Sequence, residues 1–385
     1  MQEAVIVDAV RTPLGKRDGA LSDWHPADLA AETLKALSER NSFDPVLVDD
    51  VIMGCVSQVG DQTWNIGRNA VLGAGWPETV PGVTIDRQCG SSQQSLHFAA
   101  QGVMAGAYDV VVAAGVESMS RVQMGSSAAS GEPFGEKMRE RYHNRLIPQG
   151  LSAEMIAERW DIPRAELDGY AYDSHMRAMR ATEEGRFTNE ILPIDVKAGG
   201  GASQLTADEG IRTSTTREAL ASLRPAFKDD GVVTAGNSSQ ITDGASAVLI
   251  MSRERAEELS LRPRARFVSF SLAGTDPISM LTGPIPATER ALAKAGLSIS
   301  DIDVFEINEA FAAVIGAWLR ETGADWEKVN VNGGAIAMGH PLGASGARLM
   351  TTLLNELERS GGRYGLQAMC EGGGLANGTI IESLA

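Results

Sequence analysis

The stretch from Asp86 to Ala100, "DRQCGSSQQSLHFAA", decides how this chain is interpreted. It places a cysteine between a strand-like run, "GVTID", and a helix-like run of small and polar residues. Ser91 and Ser92 can cap a helix whose exposed N–H groups and positive dipole end point toward Cys89. Such a location favours the thiolate, which is the nucleophilic form. A buried, inert cysteine is the alternative interpretation.

The composition is typical of a layered α/β protein. A chain of 385 residues is long enough for two or three packed units. It is 43% hydrophobic and 5% aromatic and contains 42 glycines, which predicts a core of small aliphatic residues with closely packed backbones. The 34 Lys and Arg against 50 Asp and Glu give a net charge of −16, which argues against a nucleic-acid partner. An anionic ligand therefore needs local arginines.

The three cysteines, Cys55, Cys89 and Cys370, are far apart and form no CxxC pair. This spacing predicts neither a disulfide framework nor a metal site, and it fits a reducing, cytoplasmic location. The N-terminal apolar run is short and is broken by Asp8, unlike a signal peptide. No apolar run is long enough to predict a membrane span.

A weak internal repeat relates the two ends of the chain. The segment "HPADLAAETLKALSERNSFDPVLVDDVIMGCV" matches "IPATERALAKAGLSISDIDVFEINEAFAAV", and each predicts a helix, an acidic turn and a strand. The segments around Cys89 and His340 continue the match. Two such halves packed together place corresponding turns near a pseudo-twofold axis, so we expect these two residues to lie in turns that meet.

The sequence predicts four segments. Residues 1–119 form the first half, 120–240 an inserted loop domain, 241–262 a return to the first half, and 263–385 the second half. The insertion differs in composition, being charged and rich in Met, Arg and Gly. Its length favours a functional lid, with a plain surface elaboration as the alternative.

Three further turns carry reactive or polar residues at strand ends. They contain Asn308 in "INEAFAAV", His340 in "NGGAIAMGHPLGASGA" and Cys370 in "MCEGGGLANG". Each alone has an ordinary explanation as a cap, a structural histidine or a Gly-rich turn. Together with Cys89 they supply a nucleophile, an imidazole, a second thiol and free amides where the halves meet. This combination predicts covalent acyl transfer.

At these residues the chain resembles the thiolases, the acyl-CoA:acetyl-CoA C-acyltransferases. The resemblance is carried by four stretches in order, "QCGSSQQ", "NEAFA", "GGAIAMGHPLGASGAR" and "CEGGG". It implies an α/β fold of five layers, αβαβα, built from two repeated halves with an inserted loop domain. "DRQCGSSQQ" with "CEGGGLAN" is most similar to degradative actinobacterial thiolases of sterol catabolism, enzymes of β-oxidation-type lipid degradation.

The resemblance assigns catalytic roles to five residues. Cys89 is implied as the nucleophile that takes the acyl group, and His340 as its base and a donor to the thioester oxygen. Cys370 is implied as the acid and base, Asn308 as the residue that holds the water of the first oxyanion hole, and the backbone N–H groups of Cys89 and Gly372 as the second hole. Two oxyanions form in the cleavage, so two holes are needed. Proton transfer at neutral pH suits a second thiol whose pKa is near ambient.

The resemblance also implies that the inserted domain binds coenzyme A as a co-substrate, with no bound cofactor or metal. Arg212 corresponds to the arginine near the nucleotide, although a solvated surface arginine is the alternative. Ala235 and Ser239 correspond to residues along the pantetheine, and Phe227 and Phe311 to the channel wall. The family further implies a homodimer or homotetramer.

Two positions depart from the family pattern. "PQG", Pro148 to Gly150, replaces the His-Met pair of many thiolases, so we expect a differently shaped acyl pocket. Arg87 near the nucleophile is expected to pair with Asp86 or another acid, with recognition of a substrate carboxylate as the alternative.

The predicted function is thiolytic cleavage of a 3-oxoacyl-CoA to acetyl-CoA and a shortened acyl-CoA through an acyl-Cys89 intermediate. One alternative is a biosynthetic acetoacetyl-CoA thiolase that runs the condensation. Another is a non-catalytic, acyl-CoA-binding protein with this fold. The intact set of Cys89, His340, Asn308 and Cys370 argues against the second alternative.

Overall fold

The computed structural model describes residues 2–198 and 201–385. Its strands are β1 (Ala4–Arg11), β2 (Gly15–Lys16), β3 (Asp50–Gly54), β4 (Val83–Ile85), β5 (Val110–Ser118), β6 (Ile194–Ala198), β7 (Gly201–Leu205), β8 (Thr242–Ser252), β9 (Ala265–Gly274), β10 (Val304–Ile307), β11 (Tyr364–Glu371) and β12 (Leu375–Ser383). Its helices are α1 (Pro26–Asn41), α2 (Ile66–Gly73), α3 (Ser91–Met104), α4 (Glu136–Arg141), α5 (Gln149–Arg159), α6 (Arg164–Glu183), α7 (Arg217–Ala221), α8 (Arg253–Glu258), α9 (Pro284–Ala295), α10 (Ala312–Thr322), α11 (Ala335–Met338) and α12 (Ser345–Ser360).

Two mixed sheets form the framework. The first half of the chain contributes the order β1-β8-β5-β3-β4, with β2 beside β8, and the second half contributes β10-β11-β12-β9. A short antiparallel pairing of β1 with β9, in which Val5 faces Arg266 and Ile6 faces Ala265, joins the two sheets at one edge. Strands β6 and β7 form a separate hairpin.

The central layer consists of α3 and α12, which lie between the two sheets. Leu96 of α3 and Met350 of α12 are fully buried in one apolar cluster with Ile250 of the first sheet and Phe267 of the second. Successive strand residues face opposite sides of a sheet. The outer faces of both sheets are also apolar, because their residues belong to two further buried clusters. Helices α1 and α2 cover the first sheet, and α9 and α10 cover the second. The predicted five-layer αβαβα architecture is confirmed.

The internal repeat relates equivalent positions of the two halves by a constant difference in residue number. Equivalent positions of β3 and β10, of β5 and β11, and of α3 and α12 lie 254 residues apart. The pairs are Asp50 and Val304, Val111 and Gly365, and Ser91 and Ser345. The turns before α3 and α12, which contain Cys89 and His340, therefore correspond to each other, as the repeat predicts.

The chain between β5 and β8 contains α4 to α7 and the β6–β7 hairpin. Its buried residues, including Ile156 and Leu167, pack against α10 and Cys370. The insertion thus covers the second half next to one of the two thiols. The four segment boundaries given above remain a prediction. None of the helices in the described ranges has the length and apolar character to cross a bilayer.

Candidate active site

Cys89 lies in the turn between β4 and α3 and is 5% exposed. The N-cap residue of α3 is Gly90, which makes no side-chain capping bond, so the prediction that Ser91 and Ser92 cap the helix is wrong. The Ser91 hydroxyl bonds instead to backbone groups of the preceding turn. The Ser92 hydroxyl accepts the backbone N–H of Ala347 at 2.9 Å. The two serines therefore fix the turn and join α3 to α12.

The expectation of a low-pKa nucleophile is also wrong for the free protein. Burial raises the pKa of Cys89 to about 12, and the carboxyl of Glu371 acts in the same direction. Hydrogen bonds from the backbone N–H groups of Gly372 and Cys89 itself and from the Gln149 side chain lower that pKa in part. Cys89 is consequently a protonated thiol, and a base must remove its proton before it can attack. The donors that would stabilise the thiolate are already in place.

His340 can provide that base. The Ser345 hydroxyl donates to the backbone oxygen of Pro341 at 2.8 Å and lies 2.6 Å from His340 Nδ1. Because that hydroxyl hydrogen is used, Nδ1 carries the imidazole proton and Nε2 is left as the acceptor. Burial, with a contribution from Arg348, lowers the pKa of His340 to about 3, so the ring is neutral.

Asn308 follows β10 and is fully buried. Its backbone N–H donates to the oxygen of Ala368 at 3.0 Å, which continues the pairing of β10 with β11. Its side-chain Nδ2 lies 3.3 Å from His340 Nε2, and its Oδ1 has no partner within residues 2–198 and 201–385. A buried acceptor without a protein partner is a suitable place for a water molecule or a ligand.

Cys370 is the penultimate residue of β11 and is fully buried. Burial raises its pKa well above the ordinary value for a thiol, and Cys89 and Glu371 add to this effect. The near-ambient pKa predicted for the second thiol is therefore wrong for the free protein. Cys89 is among the groups that raise the pKa of Cys370, so the two thiols lie close enough to interact.

Four of the five residues expected to bind coenzyme A belong to one region beside α10. The rings of Phe227 and Phe311 lie edge to face with centroids 5.9 Å apart. The backbone N–H of Ser239 donates to Ala310 at 3.0 Å, and Ala235 is exposed on a short 3-10 turn of the same segment. Polar and aromatic contacts therefore order this wall.

Arg212 lies apart from those contacts. Its backbone N–H donates to Nδ1 of His175 at 3.1 Å, and its side chain is exposed. Within residues 2–198 and 201–385, no hydrogen bond or ion pair joins Arg212 to the other four residues. Its guanidinium contributes to the lowering of the pKa of His175, after burial.

The expected pairing of Arg87 with an acid does not form. Asp86 accepts the backbone N–H of Gln88 at 2.6 Å, and no carboxylate of the described part of the chain lies within 4 Å of the Arg87 guanidinium.

Sequence reasoning missed three residues at this site. Gln149 lies in the stretch that departs from the family pattern, and its side chain donates to the Cys89 sulfur. Ser345 begins α12, and its hydroxyl also fixes the histidine tautomer. Glu371 follows Cys370 directly, and its position in the sequence was the one available signal. Only the contact of Gln149 with Cys89 joins residues that are distant in the chain, whereas Ser345 lies five residues after His340.

The chain is similar to known proteins over essentially its whole length. The chain matches the family model of the thiolase N-terminal domain over residues 4–254 and that of the thiolase C-terminal domain over residues 261–383. It is 52% identical to a steroid 3-ketoacyl-CoA thiolase of Mycobacterium tuberculosis, in an alignment that covers 100% of this chain and 95% of the relative. It is 47% identical to a 3-ketoacyl-CoA thiolase of Escherichia coli O139:H28, covering 99% of this chain and 100% of the relative. The crystal structure of the Bacillus anthracis acetyl-CoA acetyltransferase matches with a TM-score of 0.91 and 41% identity, over 100% of this chain and 99% of that one.

Proposed function

Because the chain belongs to the thiolase family, we propose that it cleaves a 3-oxoacyl-CoA with coenzyme A to give acetyl-CoA and a shortened acyl-CoA. Relatives named for 3-ketoacyl-CoA cleavage align over essentially the whole chain at 47–52% identity, which supports the degradative direction. The observation that carries the proposal is a neutral imidazole whose unprotonated Nε2 lies 3.3 Å from Asn308 Nδ2. Its turn packs against the nucleophile, because Leu342 and Cys89 share one buried cluster.

The first half-reaction breaks the carbon–carbon bond. His340 Nε2 takes the proton of Cys89, and the sulfur attacks the 3-oxo carbon, forming a carbon–sulfur bond. The bond between C2 and C3 breaks, and its electron pair becomes the enolate of acetyl-CoA. Cys370 then gives its proton to C2 and is left as the thiolate. Hydrogen-bond donors in a closed site stabilise each oxyanion more than the ground state.

The second half-reaction restores the enzyme. The Cys370 thiolate takes the proton of coenzyme A, whose sulfur attacks the acyl carbon on Cys89. The bond between Cys89 and the acyl group breaks, and protonated His340 returns its proton to the Cys89 sulfur. Asn308 and His340 serve the thioester oxyanion, while the N–H groups of Cys89 and Gly372 serve the acyl carbonyl. The hydrogen bond from Gly372 toward the Cys89 sulfur supports the second assignment.

Coenzyme A occupies the wall formed by Phe227, Phe311, Ala235 and Ser239, with Arg212 toward the nucleotide. A ring-derived acyl group is supported by the name of the steroid 3-ketoacyl-CoA thiolase, whose alignment covers 100% of this chain. The condensation reaction of a biosynthetic enzyme is the second candidate, favoured by the name of the similar crystal structure. Rates with acetoacetyl-CoA and with a bulky, ring-derived 3-oxoacyl-CoA distinguish these functions.

The protein works as a homodimer or homotetramer in the cytoplasm. Three free thiols support a reducing compartment. Strand β4 is an unpaired sheet edge, and large apolar side chains nearby in sequence, Trp64, Val83 and Phe98, are exposed. An open edge with apolar neighbours is suited to pairing with a second chain.

Mass mapping of the acyl adduct tests the proposed function. The wild type should gain an acyl group on Cys89 that coenzyme A removes, whereas Cys89→Ala should gain none. In Cys370→Ala, Cys89 should still be acylated slowly, and solvent deuterium exchange into acetyl-CoA should collapse by about 10²- to 10⁴-fold.

Cys55→Ala is the matched control, because Cys55 is a buried cysteine outside the site. It should retain both the adduct and the exchange. An adduct on Cys370, or undiminished exchange in Cys370→Ala, contradicts the assigned roles.

A further inference from the structure

Glu371 follows the second thiol, and it has an equivalent in the other half of the chain. The offset of 254 residues that relates β5 to β11 makes Glu117 the counterpart of Glu371. Both carboxyl groups are fully buried. Glu371 lies at the active site, and Glu117 occupies the equivalent position in the other half of the chain. The two residues can therefore be compared directly.

Glu117 is provided with hydrogen-bond donors. Its oxygens accept the backbone N–H groups of Val56 at 2.9 Å and Ser57 at 3.0 Å. They also accept the Gln62 side-chain amide at 2.8 Å and the backbone N–H of Gly343 at 2.9 Å. Each donor needs a lone pair on the carboxyl group, so these four bonds favour the carboxylate form. They oppose burial, which raises the pKa of Glu117.

Glu371 has no such set of donors. Neither of its side-chain oxygens has a hydrogen-bond partner among the residues that the structure describes, although both are buried. The backbone N–H of Asn377 is close enough to favour the charged form, but it does not satisfy hydrogen-bond geometry. A buried carboxylate without partners is costly, and such a group is normally neutral.

The surroundings of Glu371 supply an acceptor for a carboxyl proton. A Cβ atom placed on Gly90 would lie 1.9 Å from Glu371 Oε1 and 3.1 Å from Asn377 Oδ1, so both oxygens border the residue after the nucleophile. Asn377 Oδ1 also has no partner in the described part of the chain, and its Nδ2 is directed to Gln94 Oε1 at 3.1 Å and to His97 Nδ1 at 3.2 Å. Two acceptors in one closed space are both satisfied when one of them carries a proton.

The charged and titratable groups around Glu371 do not reverse the preference for the protonated carboxyl group. Burial is the largest effect and raises the pKa of Glu371 well above its ordinary range; Arg87 opposes it and Asp86 adds to it. Burial lowers the pKa of His97 on α3 to about 3, so this ring carries no compensating charge. The remaining neighbours that titrate are the thiols of Cys89 and Cys370.

We propose that Glu371 is a positioning residue that carries a proton in the resting enzyme and donates it to Asn377 Oδ1, so that no fixed negative charge faces the two thiols. The proposal rests on the proposed function, in which Cys89 and Cys370 ionise in turn. An ionised Glu371 raises the pKa of both thiols, so loss of its proton at alkaline pH slows both half-reactions. The equivalent Glu117 is anchored by four donors and has no such effect.

Infrared spectroscopy of the intact enzyme tests the proton directly. The difference spectrum between wild type and Glu371→Gln at neutral pH should contain the carbonyl stretch of a protonated carboxyl group. This band should give way to carboxylate bands as the pH rises. The measurement does not depend on turnover, so it remains informative even if the thiolase activity proposed above is absent.

The pH profile of thiolysis tests the consequence. The ratio of the rate at alkaline pH to the rate at pH 7 should be about tenfold higher in Glu371→Gln than in wild type, the factor that corresponds to one pKa unit. Glu371→Met should give the same ratio if the glutamine variant folds poorly, because it also removes the charge. Glu117→Gln, the matched control, should lower the melting temperature and leave the ratio unchanged.

Two results overturn the proposal. The first is a difference spectrum with carboxylate bands alone at neutral pH, as expected if Asn377 had the opposite amide orientation or if a cation of a second copy reached Glu371. The second is an alkaline profile that is identical in wild type, Glu371→Gln and Glu371→Met.

Discussion

Substitution of Asn308 tests the first oxyanion hole. Its side chain contacts the catalytic imidazole, and its Oδ1 has no partner among the described residues. Asn308→Ala should keep the fold and lower kcat by about 10²- to 10³-fold, the loss of about 2.7–4 kcal/mol typical for one oxyanion-hole group. KM should change less, since the charge it stabilises is larger in the transition state. Steady-state kinetics beside a thermal melt measure both effects, and an unchanged kcat removes Asn308 from the mechanism.

Ser345 orients the base through a single hydrogen bond of 2.6 Å to His340 Nδ1. Ser345→Ala frees the ring to adopt the other tautomer, in which Nε2 carries the proton and cannot accept one from Cys89. We expect kcat to fall roughly fivefold, which corresponds to the ~1 kcal/mol of one hydrogen bond.

The matched control for Ser345 is Ser95→Ala. Ser95 is a buried helical serine of α3 that bonds to the backbone of Ser91 instead of the imidazole. Its kcat should stay within about twofold of wild type, because the lost bond of ~1 kcal/mol affects folding alone. Equal losses in the two variants would mean that the effect arises from helix packing and not from the tautomer.

The crossing of α3 and α12 determines how the two halves meet. A Cβ atom on Gly346 would lie 2.1 Å from the backbone nitrogen of Gln93, so the helices approach each other through bare backbone. Gly346→Ala should reduce the free energy of unfolding by about 1–3 kcal/mol, because overpacking forces the backbones apart. Denaturant unfolding measures the loss. Gly131→Ala, where no atom lies within 4 Å, should be nearly neutral in the same experiment.

For the complete molecule, the open β4 edge and the exposed apolar residues near it predict self-association. Light scattering should give a mass at least twice the 40.7 kDa of one chain at micromolar concentration. A polar replacement at Val83, which is 40% exposed on this edge, should weaken the association, because it reduces the apolar area that a partner can cover. A monomeric mass for the wild type contradicts the proposal.

Much of the fold was predictable from the sequence because it depends on local periodicity and on the internal repeat. The strand–turn–helix order around Cys89 and His340 sets the equivalence of the two turns, and the structure places both turns at the contact of the halves. The helix cap was not predictable, since Ser91 and Ser92 find partners in the preceding turn and in α12. A side chain near a helix start caps it when no stronger partner is near, and that condition depends on packing.

The sequence by itself determined the family, the reactive residue types and their order along the chain, because these are properties of short motifs and their spacing. The tertiary structure alone decided the protonation states. The pKa of a thiol or a carboxyl group depends on burial and on neighbours that are distant in the sequence, and burial outweighs the helix dipole at Cys89. For the same reason the equivalent residues Glu117 and Glu371 differ: Glu117 accepts four hydrogen bonds, and the Glu371 carboxyl has no hydrogen-bond partner among the described residues.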